Sequence, residues 1–318
     1  MIKNEYCFCY CFDENFNIQA FTSMISLLDK VEEKISIKII HNTESLLKNI
    51  PKTIASHRNL KDLEVVKFVD TEYEFPNLNN AHVSEATYYR MFLTKYFNKH
   101  NFLIYLDADT IVLNNPIDYF KSKISELIET NFLIAATTEH NLKELLKNKI
   151  DNDNNILKRL EMTSNYFNAG VLIINVNKFI ENKLVSTFIE KMKLLNERII
   201  QWDQDVMNAV FNGQFLELDK SINFFGYKYK LEHNSKIYII HYVGSKKPWL
   251  LSGAFLDSSH FYHKNYSKIF NNNYQILHKW KIGSIKELLL AVKNKNLFRL
   301  AHPYIYLFEF LKSLFRFK

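Results

Sequence analysis

Short apolar segments that alternate with helical segments constrain the fold of this chain most strongly. Residues 6–12, 35–40, 63–69 and 102–106 have the length and composition of buried strands, and residues 16–28 have a helical pattern. Further strands are predicted at 132–136, 171–176 and 237–240, and helical patterns at 84–97 and 141–160. Strands separated by helices predict an α/β fold with a sheet of βαβ units.

An acidic motif follows the fourth predicted strand. Asp107 and Asp109 flank Ala108 at the end of residues 102–106. Alternate side chains of an extended chain share a face, so both carboxylates should point the same way. They lie at the carboxyl end of a strand, where open α/β sheets bind ligands. Because two adjacent carboxylates repel each other, the motif predicts a divalent cation, although short acidic motifs also occur in turns and helix caps.

Composition and charge bound the class of protein. With 318 residues, of which 47% are hydrophobic, the chain has ample core for one large or two smaller domains. The net charge of +7 and pI near 9.0 favour an anionic partner, namely a nucleotide, an acidic membrane or nucleic acid. The basic excess lies after Tyr262, and no nucleic-acid-binding motif accompanies it. We therefore expect no nucleic acid partner.

The three cysteines predict a buried strand and a reducing compartment. Cys7, Cys9 and Cys11 alternate along one strand and so share a face. A zinc site is the alternative, but the sequence has no second Cys/His cluster with zinc spacing. The pattern implies no disulfide framework. Charges interrupt any leader-like stretch near the start, and no run of about 18 apolar residues occurs, so we expect a cytoplasmic protein without a membrane span.

Four more segments carry polar groups suited to a binding site. They are His82-Val-Ser-Glu-Ala-Thr-Tyr-Tyr-Arg90, Tyr166-Phe-Asn168-Ala-Gly170, Trp202-Asp203-Gln204-Asp205 and His241-Tyr-Val-Gly244-Ser-Lys-Lys247-Pro-Trp249. Each segment also has a purely structural interpretation, which is, in the same order, a surface ion pair, a turn, a helix cap and a core histidine. His241 ends an apolar strand as Asp109 does, and a histidine beside two carboxylates favours Mn²⁺ over Mg²⁺.

Together these runs resemble the retaining glycosyltransferases of family 8, which include bacterial lipopolysaccharide galactosyl- and glucosyltransferases and glycogenin. The resemblance spans about residues 5–250. It implies a GT-A fold, a mixed Rossmann-like sheet flanked by helices, and transfer of galactose or glucose from a UDP-sugar to a lipopolysaccharide, lipooligosaccharide or other glycan. Another metal-dependent nucleotide-sugar or nucleotidyl transferase, or an inactive sugar-binding scaffold, remains the alternative.

The resemblance also implies residue roles. Asp107, Asp109 and His241 would hold Mn²⁺, with Mg²⁺ also open, against the diphosphate. The remaining donor contacts would come from Cys11 and Asp13 at uracil, Asn15 and Asp107 near ribose, Asn168 at the hexose, Gly244 and Lys247 at the diphosphate, and His82 near donor or acceptor. Ala108 would be a further donor contact. Catalytic roles would fall to Asp203, Gln204, Arg90 and Glu139. Because Gln204 is a poor nucleophile, front-face attack by the acceptor is our hypothesis.

The carboxyl-terminal part differs in composition. We divide the chain into a glycosyltransferase domain at 1–264 and a basic, aromatic region at 265–318. Pro303 favours the start of a helix, on which Glu309, Lys312 and Arg316 form a polar stripe beside a broad apolar face. This helix either lies on an anionic membrane or packs on protein. The first interpretation places the enzyme on the cytoplasmic face of the inner membrane, near a lipid-linked acceptor.

Overall fold

The structure is a computed structural model that describes residues 6–69, 73–76, 78, 84–139, 156–232 and 235–315. The strands are β1 Tyr6–Phe12, β2 Ile35–His41, β3 Leu60–Lys67, β4 Phe102–Leu106, β5 Thr110–Val112, β6 Ile134–Thr138, β7 Phe167–Asn175, β8 Leu216–Glu217, β9 Phe224–Phe225 and β10 Ile239–His241. They form a seven-stranded sheet, in the order β3-β2-β1-β4-β7-β6-β8, and a small sheet, β5-β10-β9.

Helices cover both faces of the larger sheet. They are α1 Asn17–Lys30, α2 Leu46–Asn49, α3 Lys52–Ala55, α4 Leu93–Tyr96, α5 Ile117–Glu129, α6 Ile156–Arg159, α7 Val176–Glu181, α8 Leu184–Leu195, α9 Trp202–Phe211, α10 Leu251–Ala254, α11 Ser259–Ile269, α12 Lys281–Lys293 and α13 Pro303–Leu314. Short 3-10 helices lie at Glu14–Phe16, Glu85–Thr87, Tyr89–Phe92, Asn196–Arg198, Lys220–Ile222, Gly226–Lys228 and Asn296–Arg299.

The sheet is mixed, as predicted. Strands β3, β2, β1 and β4 run parallel, whereas β7 runs antiparallel to β4 and β6. This topology brings the carboxyl ends of β1 and β4 and the amino end of β7 to one edge. The α/β prediction is confirmed, and the edge is where the acidic motif lies.

Alternation along β1 divides the core. Cys7, Cys9 and Cys11 face one hydrophobic cluster, which includes apolar side chains of α8 and α9. Phe8 and Tyr10 face the other, with α1 and α5. The cysteines are buried and free, which confirms the buried-strand interpretation. Side chains on alternate faces of a strand are therefore sufficient to specify two apolar layers.

Two predicted elements differ clearly from the structure. Residues 84–97 form two 3-10 helices and the single-turn α4 instead of one helix. Tyr88, Tyr89, Met91 and Phe92 are all buried there, so packing on every side replaces the one-sided stripe of an α-helix. Strand β7 begins at Phe167, four residues before the predicted start, because Phe167 and Asn168 pair with Thr138 and Thr137 of β6.

The carboxyl-terminal helices pack on the rest of the chain. Tyr306 and Phe310 of α13 are buried in a cluster with Leu288 and Tyr274. The proposed boundary at 264/265 falls within α11, and the division into two domains stays a prediction. Pro303 opens α13 as predicted. Across the described ranges, each helix falls short of the length and apolar content that a membrane span requires.

The predicted polar stripe of α13 is wrong at Glu309. Its carboxylate accepts hydrogen bonds from the backbone N–H groups of Asn273 and Tyr274, at 3.1 and 2.9 Å, so it faces the protein. Lys312 is exposed, and Arg316 lies outside the described residues. The exposed face of α13 is consequently more apolar than the sequence pattern suggested.

His263 links α11 to the segment that follows Lys247. The buried imidazole lies with Nε2 3.1 Å from the carbonyl of Pro248, and burial lowers the pKa of His263 from 6.5 to about 3. The imidazole of His263 therefore becomes protonated at a higher pH in the unfolded chain than in the folded chain. The stabilisation is complete above pH 6.5 and is lost as the pH falls towards 3.

Protonation of His263 is expected to lower the free energy of unfolding by about 2 kcal/mol between pH 7 and pH 5. Below pH 6.5 the decrease is roughly 1.4 kcal/mol per pH unit. His263→Gln, which keeps a donor for Pro248, should remove that part of the pH dependence. Urea unfolding of both proteins at the two pH values measures the difference. Equal slopes in wild type and variant would contradict the assignment.

Candidate functional site

A cleft of about 700 Å³ opens at the edge where β1, β4 and β7 meet. Its lining includes thirteen predicted site residues: Cys11, Asp13, Arg90, Asp107, Ala108, Asp109, Glu139, Asn168, Asp203, Gln204, His241, Gly244 and Lys247. Asn15 does not line the cleft, but its backbone and side-chain nitrogens contact the carboxylate of Asp13 at 3.0 and 3.2 Å. His82 lies outside the described residues.

Asp107, Asp109 and His241 converge within this cleft. The two acids occupy the turn between β4 and β5, and antiparallel pairing places His241 opposite Thr110. His241 Nε2 lies 3.5 Å from Asp107 Oδ2 and 3.1 Å from Asp109 Oδ1. One ligand atom from each residue falls within 4.8 Å of the others. The predicted triad is thus brought together from positions more than 130 residues apart.

Gly170 leaves the space that this convergence needs. A Cβ at this position would lie 2.1 Å from His241 Cε1 and 2.5 Å from its Nδ1. Both contacts are far below van der Waals separation, so any side chain would displace the imidazole. The glycine matters here for close approach between β7 and the histidine.

A chain of hydrogen bonds sets the tautomer of His241. The backbone N–H of Gly170 and the amide N–H of Asn223 both donate to Asn168 Oδ1, at 3.0 and 2.9 Å. Asn223 must then turn its own Oδ1 towards His241 Nδ1, 2.9 Å away. Nδ1 therefore carries a proton, and in the neutral imidazole Nε2 presents a lone pair to the cleft.

The donor set fits a divalent cation. Asp109 Oδ1 is buried and accepts no hydrogen bond from the described residues, and it faces the unprotonated Nε2 of His241. Two lone pairs 3.1 Å apart repel each other unless a proton or a metal cation lies between them. Two carboxylates and one imidazole suit Mn²⁺. Asn223, which sequence inspection missed, orients one of these ligands.

Asn223→Ala is expected to weaken Mn²⁺ binding about 10- to 100-fold, because the variant no longer holds the His241 tautomer. Asn223→Asp is the matched control, since a carboxylate oxygen can still accept from Nδ1. Manganese titration followed by electron paramagnetic resonance measures the affinity directly. An unchanged affinity in the alanine variant would show that His241 needs no partner.

Lys247 balances the charge of Asp109 in this structure. Its Nζ lies 2.5 Å from Asp109 Oδ2 and 2.5 Å from the carbonyl of Tyr242. Burial alone would raise the pKa of Asp109, but the ammonium group of Lys247 holds it well below its usual range. The carboxylate is therefore ionised, as a metal ligand must be.

Arg90 joins two of the acids. Its guanidinium lies 3.0 Å from Asp107 Oδ1 and 2.7 Å from Asp203 Oδ2, and it donates to the carbonyl of Ala169 at 2.6 Å. The ring of Tyr105 lies under it at 4.7 Å. Arg90 is thus fixed in place by protein groups, and its predicted contact with a donor sugar stays a prediction.

The polar groups of the predicted hexose site also have protein partners. Thr87 donates to Asp203 at 3.1 Å, while Gln204 accepts from the backbone of Ala169 and donates to Tyr166, at 3.0 and 3.1 Å. Burial, opposed by Arg90 and reinforced by Asp107, raises the pKa of Asp203 to about 7. The amide nitrogen of Asn168 donates to Glu139 at 3.0 Å. These side chains are rigidly oriented at the cleft.

A buried ion pair lies behind Gln204. Asp205 is fully buried and pairs with Arg159 at 2.7 Å, accepts from Tyr166 at 2.8 Å and from the backbone of Ile200 and Gln201. Tyr166 in turn contacts Gln204. The sequence places Asp205 in an acid cluster typical of a helix start, and nothing in its spacing indicates Arg159, 46 residues earlier.

Comparisons with known proteins agree with this geometry. The sequence model of glycosyl transferase family 8 matches residues 7–252. A lipopolysaccharide 1,3-galactosyltransferase of Salmonella typhimurium is 30% identical over 213 residues, which cover 62% of this chain and 59% of that protein. A putative glycosyltransferase of Haemophilus influenzae is 30% identical over 243 residues, with 71% and 68% covered.

A solved structure shows the same fold. The galactosyltransferase LgtC, in complex with donor and acceptor sugar analogues, superposes with a TM-score of 0.69. The superposition covers 87% of this chain and 99% of that one, at 17% sequence identity. This match supports the GT-A architecture that the mixed sheet and its ligand-binding edge display.

Proposed function

Because the chain belongs to glycosyltransferase family 8, we propose that it transfers galactose or glucose from a UDP-sugar to a lipopolysaccharide-type or other glycan acceptor, with retention. The observation that carries the proposal is the triad of Asp107, Asp109 and His241, with His241 Nε2 free to ligate. The names of relatives support the substrate class, since galactosyl- and glucosyltransferases of lipopolysaccharide are among them. The aligned part spans 59% of the Salmonella protein, so donor and acceptor are proposals for this chain.

The residues of the cleft have distinct tasks in this mechanism. A bound Mn²⁺ would supply a Lewis acid for the leaving diphosphate. Lys247, which pairs with Asp109 in this structure, would pair with the diphosphate when the donor binds. There it would stabilise the negative charge that develops on the diphosphate. Gly244, with φ of 72°, adopts a backbone conformation that favours glycine and leaves its surroundings open for close approach.

Front-face attack by the acceptor fits the contacts of the acids. Asp203 is buried in an ion pair with Arg90, and Gln204 has a weakly nucleophilic amide that already contacts Tyr166. Neither group presents a free nucleophile, so Asp203 is assigned to electrostatic stabilisation of the oxocarbenium-like sugar. Mass spectrometry should find no glycosyl adduct on either residue.

A donor screen tests the proposal. UDP-galactose and UDP-glucose are incubated with the protein with and without Mn²⁺, and release of UDP is measured. We expect metal-dependent hydrolysis of one donor, and an α-linked product by NMR once an acceptor is supplied. Release of hexose 1-phosphate would indicate a nucleotidyl transferase instead. Failure of UDP to bind at all would favour the inactive scaffold.

We further propose that the carboxyl-terminal helices lie on an anionic membrane at the cytoplasmic face. Residues 265–318 contain ten Lys or Arg and two Glu. The described part of this region exposes many large apolar side chains: Trp280, Ile282, Leu289, Leu290, Phe298, Tyr304, Phe308, Leu311 and Phe315. Apolar side chains among cations suit insertion into the interface of a negatively charged bilayer.

Phe308→Glu combined with Leu311→Glu is expected to lower binding to vesicles with 30% anionic lipid at least about tenfold, because both exposed side chains would have to be desolvated as charges. Leu194→Glu on α8 is the matched control, since Leu194 is 63% exposed and Phe308 67% exposed. Vesicle sedimentation gives the partition. Equal loss in the control, or none in the double variant, would mean that α13 does not contact lipid.

A further inference from the structure

The carboxyl-terminal region contributes a cation to the cleft. Lys279 lines the cleft together with Lys246 and Lys247, although it lies 27 residues beyond the end of the family-matched segment at 252. Lys246 and Lys247 belong to the loop after β10, whereas Lys279 lies two residues before the start of α12. Its position in the cleft is therefore a feature of this chain outside the matched family domain.

Several contacts hold the segment that carries Lys279. The backbone N–H of Leu277 donates to the carbonyl of Trp249 at 2.8 Å, and Leu277 forms a parallel bridge with Leu250. His278 Nε2 lies 2.7 Å from Ser313 Oγ of α13. The segment is thus attached both to the loop that follows Lys247 and to the last helix, which places Lys279 at the cleft in a defined way.

Two of the cleft lysines have no carboxylate partner within the described ranges. Lys247 pairs with Asp109 and Arg90 pairs with Asp107 and Asp203. For Lys246 and Lys279, by contrast, no ion pair is found among the residues that the structure describes, and both side chains are exposed. They are available to an incoming anion.

The expected contacts of the donor do not include these two lysines. In the proposed function a divalent cation and Lys247 lie against the diphosphate. The nucleoside is expected near Cys11 and Asp13, at the end of β1. Lys246 follows β10, whereas Lys279 comes from the carboxyl-terminal region, and together they add positive charge that attracts a further anion to the cleft.

We propose that Lys279, with Lys246, binds a phosphate or carboxylate group carried by the acceptor glycan. This inference rests on the proposed function and narrows its acceptor to an anionic class. Lys279 acts as a specificity residue: it contacts the charge on the acceptor rather than the reacting atoms. A membrane face on α13 would bring a lipid-linked acceptor towards the same segment.

Ligand-observed NMR titration tests the proposal on the full chain saturated with UDP and Mn²⁺. The probes are galactose 6-phosphate, galacturonate and neutral methyl galactoside. We expect at least one charged probe to bind about fivefold or more tightly than the neutral one, with the advantage decreasing as NaCl rises from 0.05 to 0.3 M. Comparison of galactose 6-phosphate with galacturonate shows whether phosphate or carboxylate is preferred.

Lys279→Met should remove most of this advantage, whereas Lys99→Met, which changes an exposed lysine outside the cleft, should leave it intact. Equal affinities for charged and neutral probes in the wild type would overturn the inference. So would a Lys279→Met variant that loses UDP affinity instead, since the lysine would then serve the donor. Absence of UDP binding in the wild type would refute the proposed function itself, so the two failures are distinguishable.

Discussion

Asp109→Asn is expected to abolish metal-dependent UDP binding and to lower sugar transfer at least about 1,000-fold, equivalent to about 4 kcal/mol of transition-state stabilisation. The substitution removes the charge that faces both His241 and Lys247, at 3.1 and 2.5 Å. The remaining ligands, Asp107 and His241, would hold a divalent cation weakly. Lys247 would also lose the partner that positions it.

Isothermal titration of UDP with and without Mn²⁺ measures this effect. Asp118→Asn, an exposed acid in the first turn of α5, is the control for the loss of a negative charge. Circular dichroism confirms that both variants are folded. Tight UDP binding that ignores both the metal and the Asp109 substitution would remove the triad as the basis of the function.

Asp205→Asn is expected to lower the free energy of unfolding by about 3 kcal/mol or more. The variant leaves the Arg159 guanidinium buried without its counter-ion, and such uncompensated charges cost about 3–5 kcal/mol. It also weakens the acceptor for Tyr166, which contacts Gln204. Transfer should therefore decrease even at temperatures where the variant is folded.

A double-mutant cycle with Arg159→Met separates the pair from the individual residues. Removing both charges should cost clearly less than the sum of the two single changes, because neither charge is then left unpaired. Urea unfolding gives the three free energies. Strictly additive effects would show that Asp205 and Arg159 stabilise the fold independently of each other.

Local pattern was sufficient where one side of an element meets the core. The strands at 6–12 and 102–106 begin and end where predicted, since a short apolar run bounded by polar residues has few other stable states. The helix that starts at Pro303 was likewise predictable, because proline suits the first turn. Burial of the cysteines followed from strand alternation alone.

Prediction from the local sequence pattern failed where a segment is buried on all sides, and where a polar side chain binds backbone groups from another part of the chain. The helix predicted at 84–97 gives way to 3-10 turns among buried aromatic rings. Glu309 turns inward because the backbone of Asn273 and Tyr274 offers it donors. Neither environment can be read from neighbouring residues in the chain.

The sequence by itself determined the class of fold, the acidic motif at a strand end and the candidate ligand types, because hydrophobic periodicity and residue chemistry are local properties. Only the tertiary structure decided which groups act together. The pairing of β9 with β10 brings Asn223 to His241, packing of the 3-10 helix Tyr89–Phe92 brings Arg90 to Asp107 and Asp203, and the carboxyl-terminal segment brings Lys279 to the cleft. These contacts join residues far apart in the chain, so they depend on topology and register, which no local pattern encodes.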